Sequence, residues 1–369
     1  MLYSNPTSEE IRDAITSRAE NFMDVIVPFD ELKCESNENN DSVQFRYGLG
    51  LAEFNTQALN QLFSRIKFSP QFWKRLYEGG AYQLIVDNFN WCNENTAEVI
   101  ANQRRNNDPS YLFRLNPNAP IELSEDEDED EEEETLPSLR TPVRAVLSSS
   151  YSIFDDKELF PMLMDELDQD DNISYLSYEY DSYITRLHIK LKNTEVTHKN
   201  VTYFAGMIIT NSEVGSSSIW IEPVVYRSGT IYVNRNSLQR QNVQMKIVHR
   251  GAIDRERVSN IFAECKEIAQ IGIIQLVEAY ETKINPNHAL SLAKNITELP
   301  SRMATILQRR WEHEENLKLA EAAQAIAELA QELPLFQRAK IEQEAGKIIK
   351  LFDNFSARKI QMIEEELED

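Results

Sequence analysis

Residues 204–226 constrain the fold more than any other part of the chain. Phe204–Thr210 and Ser218–Tyr226 are runs of β-branched and aromatic side chains, and Asn211–Ser217 between them is polar. Apolar runs of this length around an Asn/Ser/Gly turn form a hairpin of two buried strands. Thr230–Val233 follows Ser228 and Gly229 as a third strand. The rest of the chain then serves to extend or cover this sheet.

Upstream, Ile173–Tyr180 and Tyr183–Lys192 read as another hairpin around Asp181-Ser182, and Lys157–Leu167 as a helix capped by Asp155 or Asp156. Val143–Leu147 is a strand of the same sheet. The N-terminal part is mostly helical. Thr7 or Ser8 caps a first helix with acids in its first turn. Val43–Tyr47 alternates as a strand, and Leu51–Gln103 reads as a helical array in which Ser69 and Pro70 open one member. At the C-terminal end, Asp254–Ile284, Leu290–Asn295 and Pro300–Leu333 read as helices. The fold class is α+β: a central antiparallel sheet of about five strands, a helical N-terminal subdomain and a long helical C-terminal extension. The expected divisions are 1–120, an acidic linker 121–142, a sheet domain 143–290 and a helical tail 291–369.

The tail carries two short heptad seams. Leu319, Ala322, Ile326, Leu329, Leu333 and Phe336 are spaced 3, 4, 3, 4, 3, and Ile341, Ala345, Ile348, Phe352 and Phe355 continue beyond Pro334 at 4, 3, 4, 3. Such seams pack on the chain's own body, or form a helical hairpin through which copies self-associate.

Charge is distributed unevenly. The formal net charge is −23, which repels nucleic acid and anionic membrane at long range. Yet Glu125–Glu134 is an unbroken run of ten acids, a segment too polar to bury and expected to be mobile. Elsewhere cations gather. Arg186, His188, Lys190 and Lys192 alternate along one strand and so share one face, opposite Leu187, Ile189 and Leu191. Between Pro223 and Ile253 there is no acid, while Arg227, Arg235, Arg240, Lys246 and Arg250 occur with His249 among asparagines and glutamines.

A solvated strip of this kind suits a phosphate backbone, with Lys and Arg for charge and amides for hydrogen bonds. Tyr178, Tyr180, Tyr226 and Tyr232 are candidate platforms for unpaired bases. The competing reading is a solvated face that keeps a sheet edge from aggregating. The acidic run would then compete in cis for the strip, or serve as a spacer.

Other chemistry finds little support. Asp168, Asp170, Asn172 and Glu179 match a calcium loop only weakly, because Ile173 stands where the sharp turn needs glycine. Gly48-Leu49-Gly50 lacks the third glycine of a dinucleotide loop. The five histidines are scattered, so no zinc site, triad or cofactor site is assembled. Cys34, Cys92 and Cys265 make no disulfide framework, which fits a reducing compartment. The first residues have neither a basic region nor an apolar stretch, and no run of about 18 apolar residues exists, so neither a signal peptide nor a membrane contact is expected.

Four stretches occur together in an informative order: FNTQALNQLFSRIKFSPQFWKRL (54–76), RAVLSSSYSIFDDKEL (144–159), ITNSEVGSSSIWIEPVVYRSGTI (209–231) and KIVHRG (246–251). In this the chain resembles the phage/plasmid-like family, a domain of unknown function found in phages, plasmids and prophages. The resemblance covers roughly residues 40–290. In place of the family's Cys-x-Asn-Gly after Tyr-Arg stands Ser228-Gly229-Thr230, and the acidic insertion and heptad tail look like additions. The resemblance implies a mobile-element setting in the cytoplasm of a bacterial host and carries no catalytic or binding residue. The resulting expectation is a non-catalytic protein that binds single-stranded nucleic acid, as an accessory to annealing or recombination. The alternative is a protein-docking or host-defence-interacting role for the helical tail and acidic run.

Overall fold

The computed structural model describes residues 1–20, 22–37, 39, 42–48, 50–103, 110–116, 140–198, 200–227, 230–233, 246–250, 255–296 and 299–346. The chain forms two compact units: Asp13–Ile153, and Met1–Arg12 together with Phe154–Asp369. It opens with β1 (Leu2–Ser4) and α1 (Ser8–Ala19). Thr7 and Glu10 cap α1 reciprocally: the Glu10 amide donates to Thr7 Oγ1 at 3.2 Å and the Thr7 amide to Glu10 Oε2 at 2.7 Å.

The unit Asp13–Ile153 has a mixed sheet of β2 (Met23–Pro28), β3 (Lys33–Ser36), β4 (Val43–Tyr47), β5 (Gly50–Phe54), β6 (Ser110–Leu115) and β7 (Arg140–Ser148), in the order β2-β6-β7-β5-β4-β3. β5 and β7 are parallel; the other pairs are antiparallel. Between β5 and β6 run α2 (Thr56–Ile66), α3 (Pro70–Glu78) and α4 (Tyr82–Gln103). Asn55 accepts from the Ala58 amide at 2.8 Å and Ser69 from the Phe72 amide at 3.3 Å, so both helices start at side-chain caps, and Pro70 takes the first turn. Phe45, Phe63, Phe89 and Phe113 meet in the core. Leu51–Phe54, expected at the start of the helical array, is the strand β5 instead. Pairing with Arg140–Val143, almost ninety residues away, overrides local preference there. For the same reason Val143–Leu147 belongs to this sheet and not to that of the 204–226 hairpin.

The other unit is built on an eight-stranded antiparallel sheet. After α5 (Asp156–Leu167) come β8 (Ile173–Tyr180), β9 (Thr185–Leu191), β10 (Val196–His198), β11 (Val201–Asn211), β12 (Ile219–Arg227), β13 (Thr230–Val233) and β14 (Lys246–Ile247). The order is β1-β8-β9-β11-β12-β13, with β10 on β11 and β14 on β12. The 204–226 hairpin forms as read, with Ile209 opposite Ile221 and Phe204 opposite Tyr226. The helices α6 (Arg255–Glu281), α7 (Pro286–Lys294), α8 (Ser301–Trp311) and α9 (Leu319–Ala330) follow, and 335–346 is a further helix, α10. Pro300–Leu333 is thus two helices, α8 and α9, interrupted at 312–318.

Register sorts the side chains of this sheet into two faces. The row Tyr178–Leu187–Ile209–Ile221 looks one way. There Phe160 of α5 meets the Tyr178 ring edge-on at 6.0 Å, and the Cys265 thiol of α6 donates to the Ile221 carbonyl at 3.2 Å. The row Glu179–Arg186–Thr210–Trp220–Lys246 looks the other way. In the tail, Leu319, Ala320, Ala322, Ala323, Ala325, Ile326, Ala327 and Ala330 are all buried, so α9 is enclosed nearly all round by its own unit. The first seam is therefore occupied within the chain. Ile348, Phe352 and Phe355 of the second lie outside the described residues, as does the acidic run. No helix among the described residues is long and apolar enough to cross a membrane.

Candidate nucleic-acid interface

Arg186, His188 and Lys190 of β9 do share one face, but that face is not a solvated strip, and Lys192 stands one residue beyond the strand. Arg186 and His188 are buried, at 0% and 1% exposure. This corrects the expectation of outward side chains. α10 lies over them, bringing Arg338, Glu342 and Gln343 onto the sheet. Arg186 Nη2 is 2.8 Å from Glu342 Oε2, with both side chains fully buried. His188 Nε2 is 2.7 Å from Glu179 Oε1, Arg338 pairs with Glu179, and Gln343 donates to Glu222 at 3.2 Å. Phe336 stacks on Tyr183 at 5.6 Å.

The Arg186–Glu342 contact is an ion pair without an aligned hydrogen bond: among the described residues, the three guanidinium nitrogens of Arg186 and Glu342 Oε2 have no hydrogen-bond partner. Such a cluster holds its charges by mutual attraction against a large desolvation cost. Burial would raise the Glu179 carboxyl, but His188, Arg338 and Arg186 together hold it below the ordinary carboxylate range. Burial, with Arg186 beside it, pushes His188 down, against the pull of Glu179. Burial also pushes the Tyr226 phenol well up.

The remaining predicted cations scatter. Lys190 is half-buried; its ammonium lies 4.4 Å over the Phe204 ring and donates to Glu195 Oε1 at 2.6 Å. Phe204 in turn stacks on Tyr226, with centroids 5.1 Å apart and planes at 21°. Lys192 is exposed and donates to the Asp171 carbonyl at 2.9 Å. Arg227 pairs across from Tyr203, one residue out of phase with Tyr226, and so belongs to the opposite face. Lys246 is exposed and lies 5.5 Å from the Trp220 ring centroid. Arg250 is exposed. His249 is buried against Asn211 at 3.1 Å. Arg235, Arg240 and the Tyr232 side chain lie outside the described residues. Tyr178, offered as a base platform, is core.

What the fold does bring together on this face is two cation–aromatic pairs, Lys190 with Phe204 and Lys246 with Trp220. Lys190 lies two rows along the strands and three strands across from Lys246, about 20 Å away by sheet geometry. α10 crosses between them, from Glu179 to Glu222. Gly206, opposite Lys190, leaves room for the Tyr226 ring on which Phe204 stacks: a Cβ there would run into the Ile189 carbonyl oxygen and the Tyr226 ring. Phe204, Trp220 and Gly206 were not singled out by charge counting; their register opposite Tyr226, Thr210 and Lys190 is the missing signal.

Other candidates resolve into structure. Asp168 accepts from Ser8, Tyr175 and Arg12, and Asp170 from the Asn172 amide, so the acidic turn is internally bonded. Among the described residues no group of His, Cys, Asp and Glu is placed to hold a metal. In the unit Asp13–Ile153, a groove of about 390 Å³ lies between β4–β5 and α2–α3. Phe45, Trp73 and Tyr77 stand along it in near-parallel succession, 5.8 and 6.1 Å apart. Comparison of the chain with family models, curated proteins and solved structures finds no match.

Proposed function

We propose that the protein is a non-catalytic binder of single-stranded nucleic acid, an accessory to annealing or recombination in the mobile-element setting that its sequence resemblance implies. The observation that supports this is the shared sheet face carrying Lys190 over Phe204 and Lys246 beside Trp220. A cation next to a partly exposed aromatic ring supplies the two things an unpaired strand offers a partner for: phosphate charge and a base to stack. Lys190 is committed elsewhere only through one ion pair. Its partner Glu195 is 54% exposed, and exposed ion pairs are worth about 0–1 kcal/mol, so a phosphate oxygen replaces that carboxylate at small cost. Arg186 and His188, the centre of the expected strip, take no part in this reading while α10 covers them.

The test is fluorescence anisotropy with a labelled oligothymidylate across a salt series. Log affinity should fall with log salt at about 0.7 per phosphate contact. Lys190→Glu with Lys246→Glu should lower that slope by about 1.4 from the same relation. Phe204→Ala and Trp220→Ala should each cost about 1–3 kcal/mol of binding. Salt-independent binding, or none, refutes the reading.

The second reading, a protein-docking role, draws on the groove lined by Phe45, Trp73 and Tyr77, whose open apolar walls suit a partner's side chain. Binding there should barely respond to salt.

A further inference from the structure

α8 presents charge that neither the fold nor the sheet-face reading uses. Met303, Ala304, Leu307 and Trp311 form its buried side, packed with α7 and α9. The opposite side is open to solvent, and along it Arg302, Ile306 and Arg309 recur at spacings of 4 and 3, one continuous ridge on a helix. Arg310 flanks the ridge and reaches Glu328 at 3.2 Å. Arg302 and Arg309 are exposed and make no ion pair or hydrogen bond among the described residues. Glu312 stands one turn beyond Arg309 without pairing to it, and Glu314 and Glu315 follow after the helix has ended. Lys294, in the last turn of the neighbouring α7, is likewise exposed and unpaired among the described residues.

A chain with 61 acids against 38 Lys and Arg has ample carboxylates to neutralise such a face. Guanidinium groups left open in this way are suited to oxyanions, because their planar donor fork matches two oxygens at once. Seven residues apart, which is about two helical turns or roughly 10 Å, they fit a linear polyanion better than an isolated ion. Ile306 between them (44% exposed) offers apolar contact to a sugar or base edge.

We propose that the α8 ridge is a second nucleic-acid contact, which grips the phosphate backbone of another strand while the sheet face holds the first. This rests on the reading of the sheet face given above, and it supplies what an annealing accessory needs: two strands on one protein.

The experiment uses the full chain in two assays, anisotropy with a single oligothymidylate and the rate of annealing of two complementary labelled oligonucleotides. Arg302→Glu with Arg309→Glu changes exposed positions only. It should leave first-strand affinity within about threefold while slowing annealing at least tenfold, and Arg302→Lys with Arg309→Lys should recover part of that rate. An annealing rate unchanged by the double reversal overturns the proposal and leaves the sheet-face reading intact. Loss of all oligonucleotide binding in the α8 variant, with Lys190→Glu and Lys246→Glu harmless, would keep α8 as a contact and remove the sheet face instead. Failure of the unaltered protein to bind or anneal removes both. Equal competition by polyglutamate of matched charge would make the ridge a contact for acidic protein, and that too overturns the proposal.

Discussion

Removing one charge from the cluster under α10 should be far more damaging than removing two. Arg186 and Glu342 are 2.8 Å apart with no exposed side-chain surface. At an effective dielectric constant near 20, such a contact carries about 6 kcal/mol of attraction, offset by several kcal/mol of desolvation for each ion. Deleting one partner leaves the other's desolvation uncompensated, which costs about 3–5 kcal/mol. The neighbours make the two deletions unequal. Glu342→Ala leaves Arg186 within the field of Glu179 and Glu222, so its cost should lie near 3 kcal/mol by the same principle. Arg186→Met leaves Glu179, Glu222 and Glu342 with Arg338 as their one arginine partner in the cluster, beside His188 and Gln343, and its cost should lie near 5 kcal/mol. Arg186→Met with Glu342→Leu should return to within about 2 kcal/mol of the unaltered protein.

Amide exchange in Thr185–Leu191, the central strand beneath the pair, reads these costs as opening free energies. A pKa unit's worth of free energy is a factor of ten, so the singles should exchange roughly 150-fold and 5,000-fold faster. Singles that change exchange less than about fivefold, or a double whose cost is the sum of the two, would refute this account of the cluster.

Two further outcomes follow from the same face. Glu179 is held low in the folded protein and His188 is pushed low by burial. Both folded values lie below the unfolded ones, about 4.3 and 6.5, so each contributes stability that is complete above its unfolded value and lost as pH falls through the folded one. Stability should therefore decline from about pH 6 downward and more steeply below about pH 4, measured by urea midpoints across pH; Glu179→Gln should remove the lower step, and a flat profile from neutral to acid would contradict it. Gly206→Ala should cost about 3 kcal/mol through the clash with Ile189 and Tyr226, seen as a lower thermal midpoint; a midpoint unchanged within error would mean that the sheet relaxes there.

The 204–226 hairpin was legible because its signal is local: β-branched runs on both sides of a polar turn. The Ser69–Pro70 cap was legible for the same reason, and the start of the first helix was legible to within one residue, Thr7 or Ser8, of which the structure selects Thr7. Arg186 was misplaced because its surroundings come from Glu179, Glu222 and Glu342, the last 156 positions away in sequence. Alternation along β9 correctly assigned one face to its basic residues, yet alternation cannot say whether a helix from the far end of the chain covers that face. Leu51–Phe54 failed similarly, since its partner strand is supplied from the far side of α2–α4 and β6. The ridge Arg302–Ile306–Arg309 was present in the sequence as a helical period, hidden by the chain's overall acidity and by reading Pro300–Leu333 as one helix.

Photo-cross-linking tests the central claim most directly. A halogenated oligopyrimidine bound to the full chain at low salt is irradiated, and the attachment points are mapped by mass spectrometry. Attachment at Phe204 or Trp220, suppressed as salt is raised, is the predicted result. Efficient attachment confined to positions off this sheet face, or none at all under conditions of saturating protein, would contradict it.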